Sequence, residues 1–344
     1  MDIQAAIAQL INRQSLTAEQ TAQVMRRIMA GEAEDAQIAG LLVALRMKGE
    51  SLEEILGTVQ VMRELVTPVP VQGENLVDIV GTGGDAANLF NVSTAAAFVA
   101  AAAGARVAKH GNRSVSGSSG SADLLQAAGI NIELTPEQVA RCVAEVGVGF
   151  MYAPAHHGAM RYAAAPRKAL GIRTLFNMVG PLTNPAGVKN QVIGVYDKAL
   201  CLPLAQVLQQ LGSEHVLVVH SDDGLDEISL AGPTQVVELH NDRISEYRVQ
   251  PEDFGLTTAT LEGLAVDSPA QSLALICAAL EGQSGEPAQK AADLITLNAG
   301  AAIYVCGIAA TLREGVAIAQ DEIGSGLARE KIRELAGFSQ LYAE

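Results

Sequence analysis

The 344-residue chain contains no tryptophan, and its few Phe and Tyr bring aromatic residues to only 3%. A platform that stacks nucleic-acid bases needs aromatic faces in number, so that class of function is not expected. Long apolar runs are also missing. The stretches 95–103 and 299–310 fall well short of the roughly 20 residues that span a bilayer, so no membrane association is expected. The start, Met1-Asp2-Ile3-Gln4, has neither a basic region nor an apolar one and does not read as a signal peptide. Cysteine is scarce: Cys142, Cys201, Cys277 and Cys306 lie far apart, mostly inside apolar runs, without metal-ligand or redox spacing. They read as reduced core residues of a cytoplasmic protein.

Positive charge is the other deficit. Lys and Arg number 23 against 38 Asp and Glu, a net charge of -15 that repels polyanions, so a nucleic-acid partner is not expected. The segment 105–173 reverses the balance, with eight basic residues (Arg106, Lys109, Arg113, Arg141, Arg161, Arg167, Lys168 and Arg173) against four acids. Such a local excess in an acidic chain fits a small, confined anion site, although scattered surface cations read equally from charge alone.

Hydrophobic residues make up 49% of the chain and glycines number 33, enough for a large, closely packed core in one large domain and a smaller companion. The first 65 residues carry only helical signals: capping boxes at Thr17/Gln20 and Ser51 with Glu53-Glu54, and helical spacing of Ile38, Leu41, Leu42 and Leu45. After Pro68 and Pro70, strand and helix patterns alternate. A strand over 76–80 is followed by a helix from about Ser93, a strand near Val107, a helix from Ser121, a strand over 130–133 and a helix opened by Thr135-Pro136. Further strands are predicted at 192–196, 216–220 and 236–239, and the last sixty residues read as Ala-rich helices. This order argues for a largely parallel sheet covered by helices.

Three segments carry chemistry. Gly81-Thr82-Gly83-Gly84-Asp85 follows a strand and precedes Asn91-Val92-Ser93-Thr94 at a helix start. Glycines let backbone N–H groups approach phosphate oxygens, and a helix N-terminus adds unpaired donors. The spacing matches neither a P-loop nor a dinucleotide fingerprint. Next, Lys109-His110-Gly111-Asn112-Arg113, followed by Ser114, Ser116, Ser118, Ser119 and Ser121, supplies the ammonium, guanidinium and hydroxyl groups that hold a pyrophosphate. Finally, Asp226 and Glu227 in the run 222–227 are candidate ligands for the magnesium that accompanies diphosphates; alone, the run also reads as a solvated acidic loop. The adjacent His156 and His157 lack a third ligand and are assigned no chemical step.

In chain order, GTGGD at 81–85, N-x-S-T at 91–94, KHGNR at 109–113, N-x-x-G-P-L-T-N-P at 177–185 and the Asp226-Glu227 pair resemble one family end to end. It is the family that anthranilate phosphoribosyltransferases share with pyrimidine nucleoside phosphorylases. The resemblance implies an α/β protein in which a small all-helical domain is hinged to a larger α/β domain with a central, largely parallel (mixed) sheet. The helical domain would comprise residues 1–68, joined by a segment near 166–185. The phosphoribosyl-pyrophosphate-binding domain would comprise 71–165 and 186–344, with the site between the two and a homodimer formed through the helical part. The implied reaction transfers phosphoribosyl from phosphoribosyl pyrophosphate to the amine of anthranilate in tryptophan synthesis.

Carried over residue by residue, the resemblance assigns the donor to Gly81, Gly84, Asp85, Leu89, Asn91, Val92, Ser93 and Thr94 from the first motif. From the second it adds Lys109, His110, Gly111, Asn112, Arg113, Ser114, Val115, Ser116, Gly117 and Ser121. Gly81, Asn112 and Arg167 would contact anthranilate, with His110 and Pro181 as pocket walls. Two magnesium ions are expected, one on Ser93 and Glu227, the other on Asp226 with Glu227. Lys109 would act electrostatically, and no general base is assigned. A glutamine amidotransferase partner is left open by the family and indicated by no motif here. Leu89 stands where a hydroxyl residue is frequent, and Lys168 where Arg is common, which removes a guanidinium fork. A nucleoside phosphorylase is the competing reading; the acid pair and the KHGNR turn argue against it.

Overall fold

The computed structural model describes every residue except Ala86, Val115, Ser116 and Glu344. Its contacts divide the chain into a helical unit, Met1–Thr67 with Pro154–Pro185, and an α/β unit, Pro68–Ala153 with Ala186–Glu344.

The helical unit is built from α1 (Ile3–Ile11), α2 (Ala18–Met29), α3 (Asp35–Lys48) and α4 (Leu52–Leu65), joined by Pro154–Pro185. Both predicted capping boxes form, Thr17 with Gln20 and Ser51 with Glu54, satisfying orphan amides at the starts of α2 and α4. Glu54 reaches further. Its fully buried carboxylate accepts from the backbone N–H of Leu16 at 2.9 Å and of Ser51 at 2.8 Å, and pairs with the Lys48 ammonium at 2.9 Å. Residues 154–165, which the sequence places in the α/β domain, belong here instead. The Tyr162 ring packs over Gly31, where a Cβ would lie 2.6 Å from it, and His156 O accepts from the Thr67 N–H at 2.9 Å.

The α/β unit holds a seven-stranded sheet in the order β3-β2-β1-β4-β5-β6-β7. The strands are β1 (Leu76–Gly81), β2 (Arg106–Gly111), β3 (Val148–Tyr152), β4 (Asn190–Gly194), β5 (His215–Ser221), β6 (Thr234–His240) and β7 (Arg243–Val249). The first five are parallel, and β6 and β7 add an antiparallel edge. Central strands rich in Val and Ile are buried on both faces, as a parallel sheet under helices requires. The sequence puts a strand at 130–133, but those residues form no ladder. Ile130 and Ile132 insert into the core, while the Asn131 N–H bonds the Ser339 hydroxyl at 3.0 Å, and the sheet edge is supplied by β3, across a Gly147 turn.

One helix, α5 (Val92–Ala102), is buried almost all round, which marks it as central, not surface-lying. The helices Glu286–Val305 and Leu312–Ser325 approach closely enough that a Cβ on Gly300 would meet the Val316 backbone at 2.6 Å. The order of strand addition reverses between β1 and β4: β1, β2 and β3 build outward one way, β4 and β5 the other. The C-terminal ends of β1 and β4 therefore border a topological switch point, where open α/β sheets bind ligands.

His157 gives the helical unit a defined acid sensitivity. Burial, then the neighbouring His156, pushes its imidazole down to about 4 despite a bond with the Thr183 backbone. The neutral form is thus favoured in the native state, so stability is intact above the unfolded value near 6.5 and falls as pH drops from there toward 4. The loss approaches ~3 kcal/mol at about 1.4 kcal/mol per pH unit. Replacing His157 by Gln should flatten the urea-midpoint profile of the protein between pH 6.5 and 4 by that slope. An unchanged profile would show that this imidazole titrates alike in both states.

Candidate active site at the strand switch point

The last residues of β1 and β4, Gly81 and Gly194, face each other as paired residues of the sheet. Asp226 sits on both. A Cβ on Gly194 would collide with the Asp226 backbone carbonyl, and one on Gly81 with the Asp226 carboxylate. That carboxylate accepts the Gly83 N–H at 2.7 Å, which draws the glycine turn over the strand ends. Thr82 reinforces the join: its N–H donates to Gly194 O at 2.9 Å and its hydroxyl accepts from the Tyr196 N–H at 3.1 Å.

The acidic run after β5 sorts into two classes. Asp222 pairs with Arg248, and Asp223 accepts from the Ser221 and Ser229 hydroxyls and from the Leu225 N–H. Those two acids fold the loop, and the turn they make leaves Asp226 and Glu227 directed at the switch point. Burial, then Asp85, pushes the Asp226 carboxyl up to about 6. Burial and the Asp226 charge drive Glu227 well above the usual carboxylate range, against the opposing effects of Lys109 and a bond from the Ser93 backbone amide. Carboxylates gathered in a buried place where neither is at ease in its charged form make a hard, oxygen-rich donor set that a divalent cation would relieve.

Lys109 lies beneath this pair. Its buried ammonium donates to Ile79 O and, at 3.3 Å, to the Ser93 hydroxyl. Desolvation pulls its pKa down, and Asp78, Glu227 and Asp226 restore part of it. The cation thus bridges β1 to the first turn of α5, at the same Ser93 that the resemblance assigns to metal. Asp78, fully buried on β1, also accepts the His110 N–H at 3.2 Å, fixing the start of the KHGNR turn.

The other predicted donor residues divide by what they touch. Thr94 is buried, and among the described residues its hydroxyl has no hydrogen-bond partner, an orphan of the kind an anion resolves. Asn91 is largely engaged within the protein: its carbonyl oxygen accepts from Ser119 at 2.7 Å and Ser272 at 2.8 Å, and its amide donates to Ser119 O. Val92 is buried, with its N–H on Phe90 O, and Leu89 packs on the core and bridges to Ala265. Gly84 and Asp85 continue the glycine turn. Gly111 ends β2 where a Cβ would strike Ser121, and both the Ser121 hydroxyl and the Ala122 N–H donate to Asn112 O at 3.2 Å. Arg113 pairs with Asp123 at 2.9 Å, and the Ser114 hydroxyl bonds both N–H and C=O of Gly117. Val115 and Ser116 lie outside the described residues.

In the helical unit, the Arg167 guanidinium lies 5.3 Å from the centre of the Phe176 ring, and burial lowers its pKa. Among the described residues no carboxylate pairs with it. The segment motif at 177–185 begins with Asn177, whose amide oxygen accepts the Thr174 N–H at 2.9 Å, and includes Pro181 in a short 3-10 turn.

A second polar cluster, His215, Glu238 and His240, lies at the opposite end of β5. The two imidazoles are stacked, 3.9 Å apart and 5° from parallel, so their in-plane lone pairs do not converge on one point. Glu238 instead takes bonds from His215 and Tyr304, each at 2.8 Å. Burial raises its pKa, but those partners and Tyr247 lower it more. It is a hydrogen-bonded network between the sheet and the helix Glu286–Val305, which carries Tyr304.

Sequence reasoning missed Gly194, Asp78 and Asp123. A signal for the first was present: β1, β2 and β4 each end in glycine, and only the first two stood within motifs.

Comparison with known proteins agrees with this fold. A family model described as "Glycosyl transferase family, a/b domain" matches residues 73–329, and one described as "Glycosyl transferase family, helical bundle domain" matches 4–66. An anthranilate phosphoribosyltransferase of Azotobacter vinelandii is 60% identical over 344 residues, covering 100% of this chain and 99% of its own. The chain belongs to the anthranilate phosphoribosyltransferase family. Among solved structures, the anthranilate phosphoribosyltransferase of Thermus thermophilus superposes with a TM-score of 0.91 at 43% identity, over 97% of this chain and 99% of that one. The enzyme of Saccharomyces cerevisiae in complex with PRPP and Mg gives 0.89 at 26% identity, over 98% of both chains.

The seat of Asp226 can be tested without ligand. Gly194→Ala should cost about 1–3 kcal/mol by forcing backbone apart. Gly232→Ala, where an added Cβ meets nothing within 4 Å, should stay within about 0.5 kcal/mol of the parent protein. Equal denaturation midpoints for the two variants would refute the close approach at Gly194.

Proposed function

We propose that this chain transfers the phosphoribosyl group of phosphoribosyl pyrophosphate to the amine of anthranilate, releasing pyrophosphate, a step of tryptophan biosynthesis. The observation that carries the reading is the convergence of the glycine turn, the start of α5 and the Asp226-Glu227 pair on one strand switch point, in a chain 60% identical to anthranilate phosphoribosyltransferases.

The residues present suit magnesium: an all-oxygen set of Ser93, Asp226 and Glu227, in which burial first, then Asp85 for Asp226 and Asp226 for Glu227, raises the carboxyl pKa. Ser93 with Glu227 would hold one ion, and Asp226 with Glu227 a second. When bound, magnesium supplies charge neutralisation to the leaving pyrophosphate. The chain's own part is positioning. Backbone amides of the 81–85 turn and the Thr94 hydroxyl receive phosphate oxygens, and the 109–117 turn with Ser121 receives the rest of the donor. Lys109 holds Ser93 from below and keeps positive charge under the acid pair. Arg167, together with Asn112 and Gly81, is assigned to anthranilate, with a guanidinium left for the substrate carboxylate.

Anthranilate's amine is already a competent nucleophile, so no general base is needed, and rate comes from orientation and charge. As the bond from C1 to pyrophosphate breaks, the ribose gains oxocarbenium character and the amine attacks from the opposite face, inverting C1. An α-configured initial product would contradict direct attack. A cytoplasmic homodimer associating through the helical unit, on which Ile11 and Met47 are exposed, completes the reading; a monomeric mass by sedimentation would remove the dimer.

The decisive assay follows loss of anthranilate fluorescence with donor and magnesium, against donor-free and metal-free controls. No loss with folded protein would reject the function. Replacing Asp226 by Asn together with Glu227 by Gln should raise the magnesium requirement at least about tenfold with folding retained, since a hard divalent cation draws its affinity from charged oxygen ligands. An unchanged magnesium response would remove them as ligands. Arg167→Ala should raise KM for anthranilate at least about tenfold, the usual worth of a charge-assisted fork, while KM for the donor stays within about threefold.

A further inference from the structure

An acid has no obvious place beside a segment built to receive phosphates, yet Asp123, in the first turn of the helix that follows it, binds both of its ends. One carboxylate oxygen accepts both the Ser114 N–H and the Gly120 N–H, each at 3.0 Å; the other accepts from the Arg113 guanidinium at 2.9 Å. Residues 114 and 120 are thereby held together on one atom, the two ends of the serine-rich segment. Gly120 shows how tight that closure is, because a Cβ there would collide with the Ser114 nitrogen and crowd Asn112 O. The same Asn112 carbonyl receives Ser121 and Ala122 from α6 (Ser121–Ala127), so the turn and the helix start are tied at two adjacent places. Arg113 is further occupied by Tyr152, whose ring centre is 5.8 Å away.

We infer that Asp123 is a positioning residue for the donor site, acting through the two amides it clasps and not through its charge on Arg113. The inference rests on the phosphoribosyl-transfer reading and adds to it a residue that touches neither substrate. Two substitutions separate the amide clasp from the ion pair. In Asp123→Asn the side-chain oxygen can still accept from Ser114 and Gly120, while the Arg113 pair is lost. In Asp123→Ala both are lost.

Wild-type turnover of anthranilate with donor and magnesium first tests the underlying reading. Given that turnover, Asp123→Ala should raise KM for phosphoribosyl pyrophosphate at least about tenfold and leave KM for anthranilate within about threefold, at an unchanged response to magnesium. Asp123→Asn should stay within about threefold of wild type in both. Equal rises in the two KM values after Asp123→Ala, or an Asn variant as impaired as the Ala variant, would overturn the inference. Should the Ala variant not fold, Asp123→Ser, whose hydroxyl is too short to span both amides, carries the same expectations.

Discussion

The site depends on one steric relation: an aspartate resting on two glycines that are partners in the sheet. Gly81 and Gly194 meet across β1 and β4 where strand order reverses, and their missing side chains make the room for Asp226. Everything above it follows. The Asp226 carboxylate takes the Gly83 N–H, so the glycine turn folds down toward the acid loop, and Glu227 is carried next to the first turn of α5. A parallel sheet provides such an edge because its strand ends point the same way. The relation is rigid because a packed interior has no slack for a methyl group.

A second constraint is electrostatic. Asp78, Asp226 and Glu227 bring three acids around one buried ammonium, Lys109, in a chain already at -15. Burial makes each charge costly, and Lys109 is shared among them, so the cluster is left electron-rich toward the strand ends. That imbalance gives a cation-assisted phosphate site its polarity: acids for the metal in the floor, amides and hydroxyls for the phosphates around it. An overall negative protein can then take an anionic substrate, because selection operates over a few ångströms, well inside the screening length of about 8 Å.

How much of this could be read from the sequence differs by element. The helical unit was legible at its helix starts because capping residues act within four positions, as Thr17/Gln20 and Ser51/Glu54 show. The strands β1, β2, β4, β5 and β6 were legible because burial on both faces writes short Val-, Ile-, Leu- and Ala-rich runs, broken only by residues such as Asp78, Lys109 and Glu238. The run 130–133 failed because alternating Ile residues signal only insertion into a core, and nothing local tells a laddered insertion from an unladdered one. The membership of 154–165 was hidden for a related reason: it is decided by Tyr162 meeting Gly31, a contact across more than a hundred residues.

The site itself was legible where backbone chemistry demands particular residues and opaque where support comes from afar. Glycine turns announce themselves because few other residues do their work, whereas the adjacent acids, which alone also read as a solvated loop, were singled out by the family resemblance. The division of labour inside the motifs does not. The Asn91 carbonyl is occupied by Ser119 and Ser272, and Asp222 and Asp223, in the same run as the predicted pair Asp226 and Glu227, are claimed by Arg248, Ser221 and Ser229. In each case the deciding partner is distant in sequence or carries no motif. A motif therefore locates the chemistry, and the partner's position decides which of its residues remain available to perform it.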